Sequence, residues 1–383
     1  MNYRVSKTVK IGGTGHVDSV LIGGENPVVI QSMFKDRLSP ADLLEETERS
    51  QPSLVKRIKI LGLMGCRLLR FAVPDLQTAE TLGLLSKMVK MPLVADIHFD
   101  YKLALTCMDY PIAKIRINPG NIGSKDKVRQ VLTKAADKGV AIRIGVNAGS
   151  LPLDLRKKAA TEGQAALVLA EAALREIAYF DEFGFTSYLV SIKASGIADT
   201  ILANQILAQK TDTPLHLGVT EAGPLIAGIS RTTAALVPLL AEGLGDTVRV
   251  SLSDTMENEV IAGREIIRAA SEYAAFLGQT NIGRLGKTGV KIVSCPRCGR
   301  YGFDTHSFTE RWLSKLYALN RDITIAIMGC EVNGPEEAKH ADLGFTGAGN
   351  KVLIFRFGKI IKTIDVKDVD KVFDEELEFL GTE

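Results

Sequence analysis

A chain of 383 residues, 46% of them apolar and 24% charged, can bury a core larger than one small domain needs. A formal net charge of +2 supplies no global field, which argues against nucleic acid or a membrane surface as partner; any anion must be held locally. The N-terminal run M-N-Y-R-V-S-K lacks an apolar leader, and the longest apolar stretch, Ala234–Ala241, contains Pro238 and is too short for a bilayer, so a cytoplasmic protein is expected.

Short apolar runs alternate with helically spaced segments as far as residue 278. Val28–Gln31, Leu68–Val73, Leu93–His98, Ala113–Asn118, Ala141–Asn147, Ser187–Lys193, Leu215–Val219 and Thr247–Ser251 read as strands. Between the first two, Ser39-Pro40-Ala41-Asp42 has the cap residue, early proline and acid of a helix start. Between the fourth and fifth, Val128, Val131, Leu132 and Ala135 share one face, with Ser124 as cap and Gly139 as stop. Alternation of this kind implies parallel strands with right-handed crossovers, and eight such units make an α/β fold of the (β/α)8 barrel type over residues 1–278. A doubly wound open sheet is the structural alternative. Residues 279–289 read as a linker. Residues 290–383 read as a smaller α+β domain: strand Val290–Ser294, helix Ser307–Leu319, strand Ile323–Met328 and a hairpin of Val352–Phe357 with Lys359–Ile364.

Chemistry in such barrels gathers at the C-terminal strand ends. There the sequence places Arg70, the pair Asp96 and His98, the pair Arg116 and Asn118, Arg143 with Asn147, Lys193, Glu221 after the seventh strand, and Arg249 with Ser251. Basic side chains are costly to bury without an anion, so Arg70, Arg116, Arg143 and Lys193 together point to a phosphate or diphosphate. Internal ion pairs with Asp96, Glu221 or Asp246 are the alternative. His98, beside Asp96 and Glu221, suits acid–base work or substrate orientation.

Of five cysteines, Cys66 and Cys107 read as inert core thiols, while Cys295-Pro-Arg-Cys298 and Cys330 crowd the last quarter. Soft thiolates select zinc, copper(I) or an iron–sulfur cluster. His306 or His340 could complete a zinc site; the acids after Cys330 could instead supply the weak fourth ligand of a cluster.

The blocks V-A-D-I-H-F-D (94–100), K-I-R-I-N-P-G-N-I-G-S (114–124), I-R-I-G-V-N-A-G-S-L (142–151) and L-H-L-G-V-T-E-A-G (215–223) resemble the 4-hydroxy-3-methylbut-2-enyl diphosphate synthase family. G-D-T-V-R-V-S-L (245–252), S-C-P-R-C-G-R (294–300) and M-G-C-E-V-N-G-P-E-E-A (328–338) resemble it too, in order and over nearly the whole chain. The resemblance implies reductive ring opening of 2-C-methyl-D-erythritol 2,4-cyclodiphosphate, with electrons from ferredoxin or flavodoxin passing through a 4Fe-4S cluster. It implies cluster ligands at Cys295, Cys298, Cys330 and Glu337, and a diphosphate on Arg70, Arg116, Arg143, Asn147, Lys193 and Ser251. Asp96, His98, Asn118 and Glu221 would line the reacting end. It also implies a homodimer in which the cluster domain of one chain faces the barrel of the other. The chain departs from the family pattern at Phe34–Arg37, at Gly196 where aspartate is usual, at Pro224–Arg231, at Arg297 and at Glu336. These departures bear on pocket shape, and a paralogue acting on a related diphosphate is the variant reading. The rival classes are a zinc-stabilised barrel lyase or isomerase for a sugar phosphate and a non-enzymatic cluster carrier.

Overall fold

The structure is a computed structural model that describes residues 4–44, 53–147, 149, 151, 153–162, 164–279, 282–286, 289–319, 321–332 and 334–382. The chain divides into two compact units, Met1–Gly286 and Lys287–Glu383.

The first unit opens with an antiparallel hairpin, β1 (Val9–Gly12) and β2 (Ser19–Ile22). Eight parallel strands follow: β3 (Val29–Met33), β4 (Cys66–Ala72), β5 (Leu93–Asp96), β6 (Lys114–Ile117), β7 (Ala141–Asn147), β8 (Tyr188–Lys193), β9 (His216–Leu217) and β10 (Thr247–Val248). Their order is β8-β7-β6-β5-β4-β3-β10-β9, and a parallel bridge from Val190 to Leu215 joins the two ends of the sheet into a (β/α)8 barrel. All eight strands expected from the sequence are present; β9 and β10 are shorter than expected because the chain leaves the ladder early. The helix Lys125–Lys138 forms as its spacing predicts, with Ser124 at the N-cap and Gly139 in the left-handed conformation at its end. Ser39 caps a single 3-10 turn, Pro40–Leu43, and the continuation past residue 44 lies outside the described residues.

The opening hairpin was not legible from the sequence. Its Val9, Ile11, Val20 and Ile22 pack with Val29, Leu68, Val94, Ala141 and Leu189 to form an apolar floor at the N-terminal ends of the strands. The cations singled out at the strand ends lie toward the opposite end. Within the segment read as a linker, Ile282–Leu285 makes a 3-10 turn whose Arg284 is buried against Asp246. No helix among the described residues is long and apolar enough to cross a membrane.

The second unit is α+β. Its sheet runs in chain order through β11 (Lys291–Ser294), β12 (Thr324–Met328), β13 (Leu343–Ala348), β14 (Lys351–Arg356) and β15 (Lys359–Asp365), with the first three parallel and the rest antiparallel. Phe303, Phe308, Phe345 and Phe373 fill one face with edge-to-face and stacked contacts, and the Trp312 indole N–H donates to Asp370 at 2.7 Å. The strand β13 and the helix Val369–Thr382 were missed in the sequence: β13 begins L-G-F-T-G, where two glycines break the strand pattern.

Candidate functional site

Strand alternation turns Asp96 of β5, Arg116 of β6, Arg143 and Gly145 of β7, and Ser191 and Lys193 of β8 toward the barrel axis, while Ile115, Ile117, Ile142 and Ile144 face the surrounding helices. The register sets Asp96 beside Arg116, Arg116 beside Arg143, and Asn147 beside Lys193. Together with Arg70, His98, Thr220, Glu221, Arg249 and Ser251 they line a cavity of about 290 Å³ at the C-terminal mouth. Every barrel residue singled out from the sequence lines this cavity except Asn118. That residue is the N-cap of the turn Pro119–Ile122, buried, with its side-chain amide nitrogen unpartnered.

Five cations (Arg70, Arg116, Arg143, Lys193 and Arg249) meet two lining acids, Asp96 and Glu221. Asp96 takes up part of the excess: its carboxylate lies 3.2 Å from Arg116 and 3.7 Å from Arg70. Burial opposes its charge, but Arg70, His98, Arg116 and Arg143 together hold the carboxyl well below the usual range. Arg116 also places Nη1 2.5 Å from His98 Nε2.

Arg143 and Lys193 make no ion pair within 4 Å among the described residues, and Asp96 and Glu259 reach them only at longer range. Arg143 is 2% exposed, and among the described residues its Nε and Nη1 have no hydrogen-bond partner. Burial and then Arg70 and Arg116 push its pKa well down; burial and then Arg249, Arg143 and Arg70 do the same to Lys193. Arg70 falls to about 10, chiefly through burial. Two glycines, one in β7 and one just after β9, make this crowding sterically feasible. A Cβ on Gly145 would come 2.6 Å from Arg116 Nε, and one on Gly218 would come 2.5 Å from Lys193 Nζ. A ligand carrying several negative charges is the chemistry this arrangement takes.

The sequence reading missed the residue that organises the eighth-strand side of the mouth. Glu259, buried in the helix Met256–Phe276, receives Arg249 at 3.0 Å, the Ser32 hydroxyl at 2.8 Å, the Leu252 N–H at 3.1 Å, and Lys35. Its signal was faint: an acid in the first turn of a helix reads as a dipole partner rather than as a buried hub. Lys35 belongs to the divergent run Phe34–Arg37, which is therefore tied to the site through Glu259. Of the other departures, Gly196 is the N-cap of the helix Ile197–Ala208, Arg231 donates to the Ala222 carbonyl at 3.1 Å, and Arg297 pairs with Asp304 at 2.9 Å. Glu336 pairs with Lys339.

In the second unit, Cys295 follows β11 and Cys330 follows the adjacent parallel strand β12, so both stand at C-terminal strand ends. The C-x-x-C turn closes through Arg297 in the left-handed conformation at φ 59°. The Gly329 N–H donates to Cys295 Sγ at 3.1 Å. Cys295 and Cys330 are half-buried, while Cys298 and Glu337 are exposed. Among the described residues no three His, Cys, Asp or Glu side chains converge closely enough to hold a single metal ion. His306 is largely exposed and lies 3.7 Å from Glu310.

Burial pushes the Cys66 and Cys107 thiols up to about 12 each, so neither reaches the nucleophilic thiolate near neutral pH. Iodoacetamide added to the native protein before any metal loading should carbamidomethylate Cys295, Cys298 and Cys330 and spare those two. Peptide mass mapping reads the outcome, and labelling of Cys66 at a comparable rate would contradict the packing described.

The comparisons agree with this layout. The GcpE TIM-barrel domain matches residues 13–264, and the GcpE protein C-terminal domain matches residues 291–379. A 4-hydroxy-3-methylbut-2-en-1-yl diphosphate synthase (flavodoxin) from Treponema denticola is 49% identical over 404 residues, spanning 98% of this chain and 99% of that protein. Proteins of the same name from Treponema pallidum and Thermodesulfovibrio yellowstonii are 47% and 40% identical, spanning 99% and 94% of this chain and 93% and 97% of their own lengths. With both domains matched in order and relatives aligned from end to end, the chain belongs to the GcpE family.

Proposed function

We infer that this chain is a 4-hydroxy-3-methylbut-2-enyl diphosphate synthase, which opens 2-C-methyl-D-erythritol 2,4-cyclodiphosphate reductively, with loss of water, in isoprenoid biosynthesis. The observation that carries the reading is the five-cation barrel mouth in a chain that shares close to half its residues with two relatives of that name. A zinc-stabilised sugar-phosphate lyase would need ligands converging on one ion, which no three His, Cys, Asp or Glu side chains do among the described residues, and a cluster carrier would leave the charged cavity without a role.

Arg70, Arg116, Arg143, Lys193 and Arg249 would hold the two phosphates, with Asn147 and Ser251 as neutral donors. Binding replaces unrelieved cation repulsion with charge-assisted hydrogen bonds, so the cavity is preorganised for the anion at the expense of the empty protein. Glu221, on the loop after β9 in the left-handed conformation at φ 54°, and His98 stand at the rim. They are the groups able to move a proton at the departing oxygen, with Asp96 fixing the orientation of Arg116 and His98, and Asn118 supporting from behind.

Cys295, Cys298, Cys330 and Glu337 would hold the cluster. The donor set fits: three thiols of which one already accepts a backbone N–H, spread more widely than one ion needs, and a carboxylate as exchangeable fourth ligand. A bound 4Fe-4S cluster supplies the two electrons one at a time. The relatives' names support flavodoxin as donor. The working form is taken as a cytoplasmic homodimer in which the cluster domain of one chain serves the barrel of its partner.

The test is anaerobic reconstitution with iron and sulfide, followed by reduction and chromatography of the diphosphates. Conversion of the cyclic substrate to the open hydroxybutenyl diphosphate is expected, and Cys330→Ser should abolish both conversion and the visible cluster absorbance. A loaded protein that binds the cyclic diphosphate and never opens it would instead be a paralogue with another substrate.

A further inference from the structure

Beneath the cavity lies a lysine that the binding chemistry leaves unused. Lys114 of β6 is 0% exposed, and by register it stands opposite Val94 and Ala141, two residues of the apolar floor. Its Nζ donates to Gln31 Oε1 at 3.1 Å, the one hydrogen bond it makes among the described residues, and the Gln31 amide nitrogen is itself unpartnered. Two positions further along the same strand is Arg116, in register with Arg143. The groups acting on Lys114 from the elements around it are Arg143 of β7 and Arg70 of β4, and it in turn bears on His216 of β9, whose Nδ1 meets Thr247 Oγ1 at 2.5 Å and whose Nε2 has no partner. No carboxylate faces it; Asp96 of β5 and Glu259 bear on Arg70 instead. The amine is thus enclosed by apolar walls on one side and by like charges on the other, and both favour its neutral form.

A diphosphate entering the mouth changes one of those conditions. Its negative charges lie against Arg143 and Arg70 and cancel the field that those guanidiniums project into the interior, and in low dielectric that field is long-ranged.

We propose that Lys114 is a positioning residue that gains a proton as the diphosphate binds, so that occupation of the mouth is coupled to the charge of the barrel interior. The added ammonium steadies Gln31 and puts a further positive charge under Arg143 while substrate is present. On product release the proton leaves and the interior returns to its less charged state. By linkage, anion binding that takes up a proton tightens as pH falls and weakens as pH rises.

The inference rests on the anion-binding reading of the mouth, so two probes are needed. The cyclic diphosphate and inorganic pyrophosphate are each titrated calorimetrically into the reconstituted protein at pH 8, in buffers of different ionisation enthalpy, for the wild type, Lys114→Met and Lys114→Arg. The wild type should take up protons on binding. Lys114→Met and Lys114→Arg, which have no amine to protonate, should take up fewer, by as much as one full proton per site. The slope of log Kd against pH should flatten in step. Protonation of the probe itself cancels in the difference between proteins. With the cyclic diphosphate, whose phosphates carry no proton at pH 8, zero uptake by the wild type would overturn the proposal whether or not the variants fold. Uptake unchanged in a folded Lys114→Met would overturn it too. The Lys114-dependent difference with pyrophosphate, in a protein that fails to bind the cyclic diphosphate, would uphold the coupling and refute the assigned substrate.

Discussion

Arg284→Met should lower folding stability by about 3–5 kcal/mol, the cost of stranding one member of a buried ion pair. Arg284 and Asp246 are 4% and 1% exposed, and Arg284 Nη2 lies 2.5 Å from the Asp246 carboxylate. The same carboxylate accepts from the Ser6 hydroxyl and from the Leu215 N–H, each at 2.7 Å. One acid thus ties together the N-terminal segment, the start of β9, the approach to β10 and the turn after the last barrel helix. Methionine keeps the volume and removes the charge, leaving a carboxylate that water cannot reach and neutral donors only partly satisfy. Arg284→Lys should cost less, since the charge stays while the guanidinium's reach to the Asn26 and Gly243 carbonyls is lost. Denaturant unfolding of the first unit's transition measures both. A loss for Arg284→Met below about 1 kcal/mol would put this pair among surface-like bridges and contradict its burial.

Arg143→Met should separate function from stability in the opposite sense. Arg143 sits among Arg70, Arg116 and Lys193 with two of its nitrogens unpartnered, so in the empty protein it is a repulsive, desolvated charge. Removing it should leave the melting temperature unchanged or raised. On the proposed reading the same guanidinium would face phosphate oxygens in the complex, and truncating a buried charge partner of that kind costs roughly 2–5 kcal/mol of binding. The expected result is a fall in kcat/KM of about thirtyfold to several thousandfold, carried mainly by weaker substrate binding. Turnover and thermal unfolding on the same preparation decide it. A variant that loses stability in proportion to activity would show that Arg143 is a structural residue and that the anion is held elsewhere.

Much of the architecture can be read directly along the chain. Eight β-type runs alternating with helical spacing admit few topologies, because a parallel strand pair requires a crossover and crossovers take one hand. The cations at the strand ends were legible for a related reason: Arg116 and Arg143 stand at interior positions of otherwise apolar runs, where only an anion makes their burial tolerable. The C-x-x-C turn and Cys330 made a soft-metal site the expectation by residue type.

Other features depend on groups distant in sequence meeting in space. The hairpin of Val9–Gly12 and Ser19–Ile22 is a pair of short amphipathic strands with no distinctive pattern; it acquires its role as floor only when the barrel beneath it closes. Whether Asp96 neutralises Arg70 or Arg116, or both, is set by register between neighbouring strands, and it reaches both. Glu259 looked like a helix-start acid and is the anchor of Arg249 and Lys35; Asn118 looked like a lining residue and lies outside the cavity. Local sequence specifies propensity and which face a side chain takes, whereas the partner of a buried charge is chosen by the geometry of closure, where the cost of an unpaired charge exceeds any local preference.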